Sequence, residues 1–167
     1  MNANIGLWDR SNSEFKQQLV YRVDDINSDQ KDNQYILTTK THLIFYSESI
    51  YLPDNEILKD QLEVPLVALD WLIINFSRLP LPVNKGGYSD GRWSDSLYLS
   101  KEIDLSILYF LHHHFAEYCF TIKNNSSKSY INPVFKQEIN LFRKTLIEHG
   151  VLAKLTEIND LYKEGKL

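Results

Sequence analysis

Residues 100–122, SKEIDLSILYFLHHHFAEYCFTI, decide the fold class of this chain, because the stretch is apolar enough for a buried helix and aromatic enough for sheet. Read as a helix, it has Ser100 as cap, and Glu102 and Asp104 near the positive end of the helix dipole. Ile103, Ile107, Phe110, His114 and Tyr118 then recur at helical spacing. The end of the stretch, Tyr118 to Ile122, could instead be a strand. His112, His113, His114 and Glu117 interrupt the segment too much for it to span a membrane.

On the C-terminal side, the polar run Lys123 to Ser129 reads as a loop. Asn132-Pro133 then provides a helix start, Asn as cap and Pro in the first turn, and Phe135, Ile139, Phe142 and Leu146 form an inward stripe. Gly150 is placed to end that helix in a left-handed conformation. A last helix carries Val151, Leu155, Ile158 and Tyr162 as its apolar line.

Towards the N-terminus, Pro65 to Arg78 is a central helix, with Leu66, Leu69, Ile73 and Phe76 joined by Val67, Trp71 and Ile74 around most of its circumference. Asp70 is its polar exception, facing solvent or bonding a neighbour. Helical structure is expected to begin earlier, at Pro53-Asp54, where Asp54 caps a first turn that contains Glu56. Leu79-Pro80-Leu81-Pro82 breaks the central helix and opens a loop, Asn84 to Ser96, that holds three of the six glycines. The first third reads as strands instead. Phe15, Gln17, Leu19, Tyr21 and Val23 alternate, Ile26 to Asn33 is a polar loop, and Gln34–Thr39 and Leu43–Leu52 are rich in aromatic and branched residues.

The expected architecture is therefore α+β, an N-terminal antiparallel meander packed against a C-terminal set of about four helices. No internal repeat, long linker or charged tail divides the chain, so residues 1–167 form one domain. That length buries roughly 70% of the unfolded surface. A composition that is 43% hydrophobic and 24% charged is that of a folded globular protein. Cys119 stands alone in an apolar stretch, which points to a reduced compartment and a small buried hydrophobe. Met1 to Arg10 lacks the basic and apolar regions of a signal peptide, so the expected location is cytoplasmic. A net charge of −4 argues against sequence-independent nucleic-acid binding and would attract a basic protein.

No catalytic signature emerges. Three successive helical histidines point about 100° apart and cannot converge on one metal ion. His113 or His114 with Glu117, completed by His42 or His149, could hold one, and on a strand His112 and His114 would share a face instead. There is no H-E-x-x-H and no G-x-S-x-G. Gly86 to Gly91 has phosphate-loop spacing but continues as Arg92-Trp93, and Asp90 and Asp95 lack calcium-loop spacing. The sequence thus assigns no catalytic residue, cofactor or metal, and His113, His114 and Glu117 carry only the alternative of a metal-assisted hydrolase. The same loop places Tyr88, Asp90, Arg92, Trp93 and Asp95 close together, residue types found at binding hot spots. Tyr88 and Trp93 could equally fold back onto the body.

In size, acidity, Tyr and Trp content and lack of catalytic motifs, the whole chain resembles the small cytosolic immunity proteins of bacterial contact-dependent growth inhibition and other polymorphic toxin systems. The resemblance rests on no signature motif, and no family residue is carried over. It implies a protein that is not an enzyme and that neutralises a cognate toxin, often a nuclease, by covering its active or substrate-binding surface. Asp90 and Asp95, with Asp24 and Asp25, would then steer a basic toxin, while Tyr88 and Trp93 anchor it. A regulatory or scaffold subunit would present the same features.

Overall fold

The structure, a computed structural model, describes residues 19–26, 30–78, 93–112, 117–126 and 137–167. It is mostly sheet. Strands β1 (Leu19–Ile26), β2 (Gln30–Thr38), β3 (His42–Tyr51) and β4 (Glu56–Pro65) form one antiparallel meander. A 3-10 turn, Leu66–Ala68, leads from it into helix α1 (Leu69–Ser77). Strands β5 (Trp93–Ser100), β6 (Ile103–His112), β7 (Glu117–Asn124) and β8 (Glu138–Phe142) form a second antiparallel meander, followed by α2 (Arg143–Ile147) and α3 (Val151–Lys163). The order of four strands and then helix occurs twice, although the sequence shows no repeat.

This overturns the expected C-terminal set of about four helices. Residues 103–112 and 117–124 are paired strands, and Ile139 and Phe142, assigned to a helical stripe, lie in β8. The reason lies in residue type. Ile103, Leu105, Ile107 and Tyr109 alternate with Asp104, Ser106 and Leu108, a period of two that the neighbouring apolar residues mask as helical spacing. Branched and aromatic side chains then favour the pleated surface. The alternative of a strand at Tyr118–Ile122 is the one observed. Pro53-Asp54 caps no helix either. Leu52–Asn55 turn the chain from β3 into β4, with Asn55 at φ 55°, a left-handed conformation that Asn tolerates better than most side chains. The loop expected from Ile26 to Asn33 is shorter, because β1 runs to Ile26 and β2 starts at Gln30.

Other expectations hold. Helix α1 lies inside the expected span, with Leu69, Leu72 and Phe76 completely buried. Gly150 is left-handed at φ 73° and separates α2 from α3, whose Val151, Leu155 and Ile158 are buried. Asp70 both faces solvent and accepts bonds across to α3, from Asn159 Nδ2 at 2.9 Å and Lys163 Nζ at 2.7 Å. Those bonds hold its carboxyl below the usual range.

One apolar cluster draws on both sheets and all three helices: Phe45, Leu62 and Val64 from the first meander meet Ile107, Phe120 and Ile122 from the second under α1 and α3. Phe76 packs edge-on against Phe120, with ring centroids 5.0 Å apart. The two sheets touch where β4 passes β8. There Gln61 and Gln137 form a parallel bridge, and Gln137 Oε1 accepts the Glu63 N–H at 3.0 Å. Among the described residues, no helix is long and apolar enough to cross a membrane.

Candidate partner-binding surface

The first sheet has a dry half and a bare half. Along β3 the residues from His42 to Glu48 are buried on both faces, so Leu43 and Phe45 enter the main core while Ile44 and Tyr46 join Tyr35 and Leu37 in a second cluster behind the sheet. From Tyr51 to Lys59 every residue is exposed. The β3–β4 hairpin therefore ends in an open surface that carries Tyr51 (46% exposed), Leu52 (42%), Ile57 (55%) and Leu58 (56%). Tyr51 and Leu58 stand on one face of the hairpin and Ile57 on the other, so its tip exposes apolar side chains on both faces, and exposed large apolar groups are a mark of an interaction site.

Backbone chemistry holds this end in shape. Asp54 Oδ1 accepts the Glu56 N–H at 3.2 Å, closing the turn that Asn55 allows. The ladder from Tyr51 opposite Glu56 to Ser47 opposite Asp60 keeps the two strands in fixed register. The surroundings are acidic. Asp24, Asp32, Asp54, Glu56 and Asp60 lie towards this end, against Arg22, Lys31 and Lys59, and the Arg22–Asp24 pair at 2.9 Å offsets one charge of each sign. Burial raises the Asp60 carboxyl above the usual range, and Glu138 across the sheet junction raises it further.

The residues singled out from sequence fare differently. Tyr88, Asp90, Arg92, His113 and His114 lie outside the described residues. Trp93 opens β5 opposite Tyr109. Asp95 is not an outward steering charge. It stands opposite Ile107 on the core side of β5, and its Oδ2 accepts Trp71 Nε1 at 3.0 Å and Asn75 Nδ2 at 3.4 Å, fastening α1 to the second sheet. Glu117 begins β7 and pairs in register with His112, so it lies in a strand and not in the helix that a four-residue step from His113 assumed. Among the described residues, no three His, Cys, Asp or Glu are close enough to hold a metal ion.

Other polar groups are buried without forming a catalytic set. On the back of the first sheet, Tyr46 Oη donates to Glu48 Oε1 at 2.7 Å, and Glu48 and Glu63 are both buried. Glu63 stands opposite Ile44, four residues along β3 from Glu48, which separates the two carboxylates by roughly 13 Å, too far to share a proton. His42 Nδ1 meets Thr41 Oγ1 at 2.8 Å, and burial pushes the ring's pKa below its usual value. Cys119 is buried among strands, as expected of a packing residue.

The hairpin end was missed in the sequence because Asp54 and Glu56 resemble a helix start. The available signal was Pro53-Asp54-Asn55 between two apolar pairs, Tyr51-Leu52 and Ile57-Leu58, which is turn chemistry between strands. No protein-family model matches this chain, and no curated protein matches it.

Proposed function

We propose that this chain is a protein-binding inhibitor of the immunity type, acting in the cytoplasm by covering the active or substrate-binding surface of a basic cognate toxin. The observation that carries this reading is the hairpin end, where exposed Tyr51, Leu52, Ile57 and Leu58 sit among acidic side chains. Aromatic and aliphatic anchors inside a charged rim are the composition of a protein interface, the anchors supplying affinity and the rim steering association. The site first read in the 88–95 loop moves to this hairpin, because Asp95 is engaged with α1. The metal-assisted hydrolase is less favoured, because Glu117 lies in strand β7 and not in the helix that its pairing with His113 or His114 assumed.

The test is affinity capture on the tagged chain from its native organism, at low and high salt, with Leu52→Asp/Ile57→Asp as the comparison. The expected result is one stoichiometric basic partner similar to the C-terminal part of a secreted toxin, bound at least tenfold more weakly by the double variant, a loss of about 1.4 kcal/mol. Capture of nothing by the unaltered chain would overturn the reading. Equal capture by both proteins would remove the hairpin from it.

A further inference from the structure

The strand period sorts the charges at the hairpin end onto two faces. Directly opposed residues of an antiparallel pair share a face, and so do alternate residues of one strand. Tyr51 with Glu56, Ser49 with Leu58 and Ser47 with Asp60 therefore lie on the face that continues to Phe45 and Leu62 in the core, and Asp32 joins them opposite Ser49. Lys31 with Ile50, Ile57 with Ile50 and Lys59 with Glu48 lie on the other. Among the described residues of β2, β3 and β4 from Ser47 and Asp60 outward, the first face thus carries acids and no lysine or arginine, and both lysines stand on the second. Glu138, opposite Lys123 of β7, adds its charge beside Asp60.

Apolar side chains interrupt the acids. Leu58 is 56% exposed midway between Glu56 and Asp60, and Tyr51, 46% exposed, stands diagonally beside it. Two residues of strand advance about 6.7 Å, so acid, aliphatic and acid follow one another at that interval along β4. Four residues of helix advance about 6 Å and return to nearly the same side. A helix with basic, apolar and basic side chains at four-residue steps therefore matches this row position for position. Its backbone is also satisfied internally, so it covers a sheet face without joining the ladder. Further along this same face Phe45, Leu62 and Val64 lie in a core shared with α1 and α3.

We infer that the face carrying Tyr51, Glu56, Leu58 and Asp60 seats an amphipathic helix of a partner protein, with an apolar side chain on Tyr51 and Leu58 and a basic one on either side of it. This rests on the protein-binding reading and names its face and its occupant. Burial of the apolar contact provides affinity, and the flanking charges fix the position of the helix and select the partner. The turn at Asp54–Asn55 holds the two strands in register beforehand, which lowers the ordering cost of association.

The experiment titrates the isotope-labelled full chain with three alanine-rich helical peptides and follows backbone amides by NMR. The first has lysine, leucine and lysine at four-residue steps, the second has the same composition with the leucine on the side away from the lysines, and the third has glutamate in place of lysine. The expected result is that the first peptide shifts the amides of residues 47–51 and 56–60, and that the second and third bind at least tenfold more weakly. Glu56→Lys/Asp60→Lys is expected to weaken the first peptide at least tenfold, whereas Lys31→Glu/Lys59→Glu, on the other face, changes it less than threefold. No binding of the first peptide, equal binding of the first two, or shifts centred elsewhere would overturn the inference. A tenfold gain with Lys31→Glu/Lys59→Glu would overturn it as well, because net charge and not the face would then select. So would sedimentation of the free chain as a dimer with these same amides protected, which assigns the face to a second copy. A captured toxin that tolerates Glu56→Lys/Asp60→Lys but is lost with Leu52→Asp/Ile57→Asp sinks this inference and leaves the protein-binding reading standing.

Discussion

The two meanders have the same strand order and the same following helix, yet they meet their surroundings differently. The second sheet turns one face to the helices and keeps Cys119 buried on the other. Leu105, Ile107, Phe120, Ile122, Ile139 and Leu141 face the helices, while Ser94, Ser96, Lys123 and Asn140 stand exposed. The first sheet is buried on both faces at its Leu43–Tyr46 end and bare at its hairpin end. Apolar side chains left exposed at the hairpin end contribute less to folding than the buried ones, and such exposed groups are a common mark of an interaction surface. The contrast therefore lies between the strand segments of both sheets that build the core and the one hairpin end that stands exposed.

The strongest way to break this comparison is Phe76→Ala. Phe76 is fully buried and touches Phe120 of the second sheet from a helix that follows the first, so its loss is expected to cost about 3–5 kcal/mol. Because one cluster joins both sheets, denaturant unfolding should stay a single transition at lower midpoint. Two separate transitions would show that the halves are independent.

A smaller effect is expected in the second half at Gly150→Ala. The left-handed φ of 73° costs an L-residue about 1–2 kcal/mol, and the new Cβ would lie 3.2 Å from Tyr21 Oη. Tyr21 reaches over from β1 to donate to the His149 carbonyl, so the variant also tests how firmly the first sheet is tied to the α2–α3 corner. Thermal unfolding measures it, and an unchanged midpoint would mean that this corner yields freely.

The smallest expected effect sharpens the junction itself. Burial first, and Glu138 second, raise the Asp60 carboxyl pKa in the folded chain, so between the unfolded and folded values the folded state binds more proton than the unfolded state. Its contribution is unfavourable at neutral pH. As pH falls through the folded-state pKa towards the ordinary carboxylate value, that penalty disappears. Asp60→Asn should therefore raise the neutral-pH midpoint slightly and leave the acidic one almost unchanged. Denaturant titrations at both pH values check the sign, and a loss of stability at neutral pH would refute the repulsion from Glu138.

Parts of this molecule were legible because local chemistry and tertiary context agree. The β2–β3 region is branched and aromatic and forms strands, α1 is apolar around most of its circumference and is central, and Gly150 is left-handed where a glycine was needed. Asp95 was not legible in the same way. Its exposed-looking neighbours, Ser94 and Ser96, point away from the core, and only the register with Ile107 turns the carboxylate towards Trp71 and Asn75. The hairpin end was hidden for a related reason, since Asp54 bonds the Glu56 amide in a strand-connecting turn much as a helix cap would bond an amide two residues on.

By itself the sequence determined the apolar content, the acidity, the early strands, the central helix and the glycine corner, all of which follow from side-chain chemistry within one turn or one strand. Only the tertiary structure decided that residues 103–112 and 117–124 pair as strands and that the tip of the β3–β4 hairpin stands exposed. A segment this rich in apolar residues satisfies both the helical and the extended period, so the choice falls to whichever partners are present: β5 and β8 supply a ladder for β6 and β7.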